Sequence, residues 1–237
     1  MPAVVLAVVV VSACGAVGSV QGSGVVKSEE REVEGFAGIR LTGIGDVRVR
    51  QTGTESVTVS AEDNILPLLD TDVRSGVLEI GLRDDAGVRT TEPVRIAVTV
   101  DSLDLVETTG SGTIVVEGLE AEDLAAVSSG SGDVGVEDLT ADDVTATTTG
   151  SGDITLAGSA ARQSAQSSGS GDVLACDLDS DEAEVDTSGS GDVELSVSER
   201  LTMTVSGSGS VRYVGEPDVS EDTTGSGDVE RLESCPG

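Results

Sequence analysis

The chain has 237 residues and only 1% are aromatic, so its core must be built from aliphatic and small side chains. Its 44 Asp and Glu against 13 Lys and Arg give a net charge of -31, which argues against nucleic acid as a partner because phosphates are bound by clustered cations. A diffuse acidic surface with Arg in place of Lys is typical of proteins that work in molar salt. We therefore expect a halophilic source, with an acidic envelope protein as the alternative.

Residues 1–13 have the features of a lipoprotein signal peptide. Pro2 to Ala13 is an apolar run of twelve residues, too short to cross a bilayer as a helix and suited to the core of an export signal. It ends in Val11-Ser12-Ala13-Cys14, which resembles the lipobox of prokaryotic lipoproteins. The lack of positive charge between Met1 and Cys14 departs from that pattern and favours a start upstream of Met1.

Cys14 is the predicted lipidation site and mature amino terminus, which would anchor the chain to the outer face of the cell membrane. The alternative is an incidental cysteine after an apolar stretch. Residues 14–30 are predicted to be the lipidated cysteine and a flexible tether, because Gly15 to Gly24 is rich in Gly, Ser and Val and uncharged.

Residues 31–232 are predicted to form one β-helix domain, of which residues 31–109 are the irregular first rungs and their cap. Alternating apolar residues predict strands in this part. The predicted strands are Ile39 to Leu41, Asp46 to Gln51, Val57 to Ala61, Val77 to Leu82 and Val94 to Val100. Pro67 interrupts Asn64 to Leu69, and Gly43 to Val47 is similar to a degenerate first copy of the repeat that follows.

Residues 110–232 carry a repeat that begins Gly-Ser-Gly. The copies start at Gly110, Gly130, Gly150, Gly169, Gly189, Gly207 and Gly225, at spacings of 18 to 20 residues. A glycine-punctuated period of this length predicts an all-β fold, a right-handed parallel β-helix with one repeat per coil. Residues 233–237 are a tail.

Period-two alternation predicts which side chains of each coil face inward. Apolar residues lie four positions after the first glycine in all seven copies, from Ile114 to Val229. The Thr and Ser that precede each Gly-Ser-Gly are predicted to stack as hydroxyl ladders, in which each side chain bonds its copies in neighbouring rungs.

A column of acids follows the glycines. Four successive rungs place an aspartate directly after Gly-Ser-Gly: Asp133, Asp153, Asp172 and Asp192. Stacked carboxylates repel one another unless they are hydrated or bridged by cations, so structural Ca²⁺ is one hypothesis for this column. The other is that these residues form turns, and no further cofactor is expected.

Cys176 and Cys235 are the remaining cysteines. Three rungs separate them, roughly 14 Å at the spacing of strands in a sheet, which exceeds the reach of a disulfide unless the tail folds back. We therefore predict a small buried or edge thiol at Cys176 and no bridge.

The order of these motifs resembles a known family. Phe36-Ala37-Gly38-Ile39 leads to Gly45 to Val49, then to the Gly76 to Ile80 turn and strand, and then to the Gly-Ser-Gly-Asp coils. This order is similar to the auto-transporter adhesin head domain, called the GIN domain, over roughly residues 32–232. The resemblance implies a right-handed β-helix in exported, often lipid-anchored proteins, and it supplies no catalytic residues.

Three classes of function remain open. The leading hypothesis is a non-catalytic envelope lipoprotein whose β-helix is an adhesin-like or scaffolding module for an extracellular protein or glycan. The second is an enzyme that acts on polysaccharides, which the absence of His and the near absence of aromatic residues disfavour. The third is a scaffold that assembles end to end, which acidic repulsion and Arg231 in the last coil oppose.

Overall fold

The computed structural model describes residues 19–83 and 87–236, and strands make up 63% of the chain. Ten short strands come first: Val20–Gln21 (β1), Val26–Arg31 (β2), Gly38–Leu41 (β3), Asp46–Gln51 (β4), Ser56–Glu62 (β5), Leu69–Arg74 (β6), Val77–Leu82 (β7), Val88–Arg89 (β8), Arg95–Val100 (β9) and Leu105–Thr108 (β10). Eight more follow: Thr113–Ser128 (β11), Val134–Thr148 (β12), Ile154–Ser167 (β13), Val173–Thr187 (β14), Val193–Val205 (β15), Val211–Val214 (β16), Asp218–Thr223 (β17) and Val229–Leu232 (β18). A 3-10 turn, Leu66–Leu68, carries Pro67. None of the helices in the described part is long and apolar enough to cross a membrane.

The predicted solenoid is confirmed, with about 6 turns. Each long strand from β11 to β15 is one coil that bends around the molecule and pairs in parallel with the next. Like residues meet across the rungs, as Ile114 lies beside Val134 and Ser128 beside Thr148. Because each rung pairs with its immediate neighbours, the stack grows along one axis.

The core is a set of aliphatic columns, as the alternation predicts. The first column runs Ile114, Val134, Ile154, Val173, Val193 and Val211, each at most 1% exposed. Stacking like on like lets a narrow interior exclude water without aromatic side chains.

Close approach between rungs explains the glycines. A Cβ on Gly150 would lie 1.9 Å from the carbonyl oxygen of Gly130, and one on Gly152 would lie 1.9 Å from that of Gly132. The corner is fixed by backbone bonds such as that from the amide of Ser151 to the carbonyl of Gly130, 2.9 Å. Only glycine can occupy a position with so little space.

The prediction that hydroxyls bond their copies in neighbouring rungs is wrong for the buried Ser and Thr that lie two positions before each Gly-Ser-Gly. Thr108, Ser128 and Thr148 are buried, and each donates its hydroxyl hydrogen to the carbonyl four residues later in its own rung, at 2.8 to 3.2 Å. The carbonyl of the second glycine lies within reach of this hydroxyl and accepts its hydrogen within the same coil. These side chains therefore fix the shape of each corner.

The first rungs contain the predicted strands but are not all parallel. Gly43 to Gly45 lie under Gly110 to Gly112, so the degenerate first copy is a true rung. However, β5 runs antiparallel to both β2 and β9, and β6 and β7 form a hairpin. The hairpin arises at Ser75 and Gly76, whose φ angles of 53° and 80° suit the tight two-residue turn that joins antiparallel strands.

The predicted flexible tether is in part ordered. From Ser19 onward its residues belong to the fold, where β1 pairs with β8 and β2 pairs with β5. The carboxylate of Glu62 is inaccessible to solvent and accepts hydrogen bonds from the amide of Gly24 at 2.7 Å and from the hydroxyl and amide of Thr91 at 2.6 and 3.0 Å. This buried acceptor holds the amino-terminal segment against the first rungs.

The expectation of unpaired cysteines is wrong. Cys176 and Cys235 form a disulfide, with their Cα atoms 5.6 Å apart. After β18 ends at Leu232, the tail turns back across the rungs, and three extended residues cover roughly 10 Å of the 14 Å offset. Cys176 also lies where the pairing of β14 with β15 slips between Ala175 and Asp179, so it sits in a bulge.

Candidate binding surfaces

Cys14, the predicted lipidation site, lies outside the described residues. The other predicted site, the Asp column, lies at the corner that follows each Gly-Ser-Gly. Its four aspartates stack one per rung on successive rungs, as the repeat predicts.

Each aspartate of the column bonds to the rung above it. The amide of Asp153 donates to Oδ1 of Asp133 at 3.0 Å, and that of Asp172 donates to Oδ1 of Asp153 at 2.8 Å. The pattern continues through Asp192 to the amide of Ser210. At this corner a carboxylate oxygen replaces the carbonyl that a regular ladder would offer, so the column joins successive rungs instead of closing turns within one.

An arginine pairs with the last aspartate of the column. Arg212 pairs with Asp192 at 2.7 Å and with Glu194 at 2.6 Å, and its hydrogen bond to Glu194 raises the pKa of the guanidinium. Across residues 19–83 and 87–236, no three His, Cys, Asp or Glu side chains converge as a metal site. Rung spacing keeps the carboxylates apart, and calcium binding by the column stays a prediction.

Alternating charges form a second ladder on the outer face of the solenoid. Asp143, Arg162, Glu182, Arg200 and Asp218 lie in register on β12 to β15 and β17. Arg162 donates two hydrogen bonds to the carboxylate of Asp143, and this guanidinium holds the pKa of the Asp143 carboxyl below its usual value. The periodic glycines gave no sign of this ladder, but aligning the outward positions of successive coils would have shown it.

The likeness to known proteins covers most of the chain. The model of a family described as "Putative auto-transporter adhesin, head GIN domain" matches residues 35–217. The chain belongs to this GIN domain family. No curated protein matches the sequence.

Solved structures share the fold of this GIN domain. A "putative adhesin" from Bacteroides fragilis is 26% identical, with a TM-score of 0.86 over 90% of this chain and 100% of that one. A "putative lipid binding protein" from Parabacteroides distasonis is 23% identical, with a TM-score of 0.76 over 91% and 100%. A "putative adhesin" from Parabacteroides merdae is 22% identical, with a TM-score of 0.71 over 91% and 99%.

One surface of the GIN domain is uncharged. The middle residue of each Gly-Ser-Gly is exposed and forms a serine column: Ser111, Ser131, Ser151, Ser170, Ser190, Ser208 and Ser226. In the last four coils the serines and glycines line a groove of about 560 Å³. On a chain of charge -31, this corner presents hydroxyl groups and backbone in place of carboxylates.

Proposed function

We propose that the chain is an exported lipoprotein, anchored by lipid on Cys14 to the outer face of the cell membrane. Its solenoid would be a non-catalytic, adhesin-like or scaffolding module. The partner would be an extracellular protein or glycan. Membership of a family named for adhesins is consistent with a role at the cell surface.

The position of the amino-terminal segment carries this proposal. The described chain begins at Ser19, five residues after Cys14, and its β2 is the outermost strand of the order β2, β5, β9, β4, β11 and onward to β18. Ten strand spacings separate β2 from β18 in that order, which corresponds to roughly 48 Å. A lipid on Cys14 would therefore place the first rungs nearest the membrane and the last coils away from it.

The acidic side chains support a module without catalysis. Many of them serve the stack itself, as the Asp column and the charge ladder show, and the chain has no His to act as a general base near neutral pH. The stacked coils provide an extended, repetitive surface for a partner.

Cell fractionation with protease treatment of intact cells tests the proposal. We expect the wild type in the membrane fraction and digestible from outside, and Cys14→Ser released into the medium. Ser12→Ala, which keeps a small residue before the cysteine, is the matched control and should stay anchored. A soluble, protected wild type inside the cell would overturn the proposal.

A further inference from the structure

Two arginines share a groove on the outer face of the first rungs. The groove has a volume of about 530 Å³, and Arg48 on β4 and Arg95 on β9 are exposed along it. Ten of the 13 Lys and Arg side chains form ion pairs. The other three, Arg48, Arg89 and Arg95, form none with the acids that the structure describes.

Arg48 differs from the arginines of the ladders. Arg40 lies in register between Glu79 and Glu107, and Arg162, Arg200 and Arg212 likewise have an acid on both neighbouring strands. The neighbours of Arg48 are Ala97 on β9 and Val115 on β11. In a chain with more than three acids for each base, an exposed cation between two small apolar residues is available to a ligand.

The two arginines lie at opposite corners of a rectangle of four residues on β4 and β9. Arg95 is the register partner of Asp46, and Arg48 is the register partner of Ala97, so Asp46 and Ala97 occupy the other corners. The Cα atoms of Arg48 and Arg95 are roughly 8 Å apart, from one strand spacing and two residues along the strand. Three corners alternate in charge, and the fourth, at Ala97, has only a methyl group.

We propose that a ligand carboxylate occupies the Ala97 corner, between Arg48 and Arg95, and that it belongs to an acidic sugar of the uronate class. The planar fork of arginine matches a carboxylate in two parallel hydrogen bonds. A phosphate dianion fits less well, because Asp46 adds a negative charge beside the site. The backbone amides that bind phosphates elsewhere are already used, since β4 and β9 each pair on both sides.

The surroundings favour a sugar over a peptide. A peptide commonly adds to a free strand edge, and neither β4 nor β9 has one. Thr58, Ser60 and Thr113 line the groove with hydroxyls, while Ala97 and Val115 provide small apolar contacts for the C–H face of a sugar ring. This inference rests on the proposed function, since it names the ligand class of the surface module.

Calorimetric titration of the purified full-length protein with a trisaccharide of galacturonate tests the proposal, because the binding measurement does not depend on cellular location. We expect Arg48→Gln to weaken binding at least about tenfold, the loss typical of a charge-assisted hydrogen bond. Ala97→Glu should do the same by filling the empty corner with an internal carboxylate. Arg89→Gln is the matched control, since it removes an exposed arginine on β8, and should change affinity less than twofold.

Four results would overturn the proposal. The first is that the wild type does not bind the uronate, and the second is that it binds a neutral trisaccharide equally well. The third is that it binds inorganic phosphate or an acidic tripeptide more tightly than the uronate. The fourth is that Arg89→Gln loses as much affinity as Arg48→Gln. Circular dichroism of each variant checks that the solenoid is intact. Binding in a protein that fractionates inside the cell would contradict the proposed location and leave the site supported.

Discussion

Replacing Gly150 with alanine should break the contact between two rungs. The new Cβ would lie 1.9 Å from the carbonyl oxygen of Gly130, whereas real Cβ atoms essentially never approach closer than 3.0 Å. The rungs must therefore separate locally by at least the difference, 1.1 Å. That shift would stretch the 2.9 Å hydrogen bond from the amide of Ser151 to the same carbonyl beyond useful length.

The expected cost is about 2 to 4 kcal/mol, from overpacking of roughly 1 to 3 kcal/mol and a lost hydrogen bond of about 1 kcal/mol. For a chain of this size that corresponds to a fall in Tm of roughly 5 to 15 °C. Urea and thermal denaturation followed by circular dichroism would measure it.

Gly135→Ala provides the matched control. Its new Cβ would meet only Val115, at 3.9 Å, and a side chain in a strand reduces the entropy of the unfolded chain. This variant should be as stable as the wild type or slightly more stable. Equal stability of Gly150→Ala and the wild type would refute the close-contact explanation of the repeated glycines.

Three further predictions concern the ends and the charges of the solenoid. Cys235→Ser opens a link across 59 residues to Cys176 and should cost up to about 4 kcal/mol in unfolding free energy; an unchanged urea midpoint would contradict this. The hydrogen bond from the Thr91 hydroxyl lowers the pKa of Glu62 in the folded protein. The stabilisation that ionised Glu62 provides is therefore complete above the pKa of the unfolded chain, about 4.3, and is lost as pH falls through the lower pKa of the folded state. Hydrogen exchange should show the amide of Gly24 losing protection over that range in the wild type and at all pH values in Glu62→Leu, which has no acceptor oxygen. Equal protection of Gly24 in both proteins would contradict the role of Glu62. If the Asp column binds calcium, Ca²⁺ should raise the Tm of the wild type and not that of Asp153→Asn. An equal rise in Tm with NaCl at the same ionic strength would show that salt only screens the repulsion between the carboxylates.

Most of what the sequence predicts about the fold comes from the repeat. The periodic glycines and the alternation after them predicted the coils, the inward columns and even the degenerate rung at Gly43, because each is set by local pattern and repeated stacking. The bounds of β4 and β7 follow for the same reason: their apolar residues alternate and turn residues flank them.

Long-range features were not predictable in this way. The Cys176 to Cys235 bridge depends on a tail that reverses direction, and periodicity describes only chain that continues the stack. The ordered segment at Gly24 depends on a buried acceptor, Glu62, which has no signature in the sequence. Arg48 becomes distinctive only once the order β9, β4, β11 shows that its neighbours are not acidic.

Mass spectrometry of the amino-terminal peptide, from protein extracted out of the membrane fraction, tests the anchored module most directly. We expect a peptide that begins at Cys14 and carries the mass of a lipid on that residue. A peptide that continues upstream of Cys14, with an unmodified thiol, would contradict it.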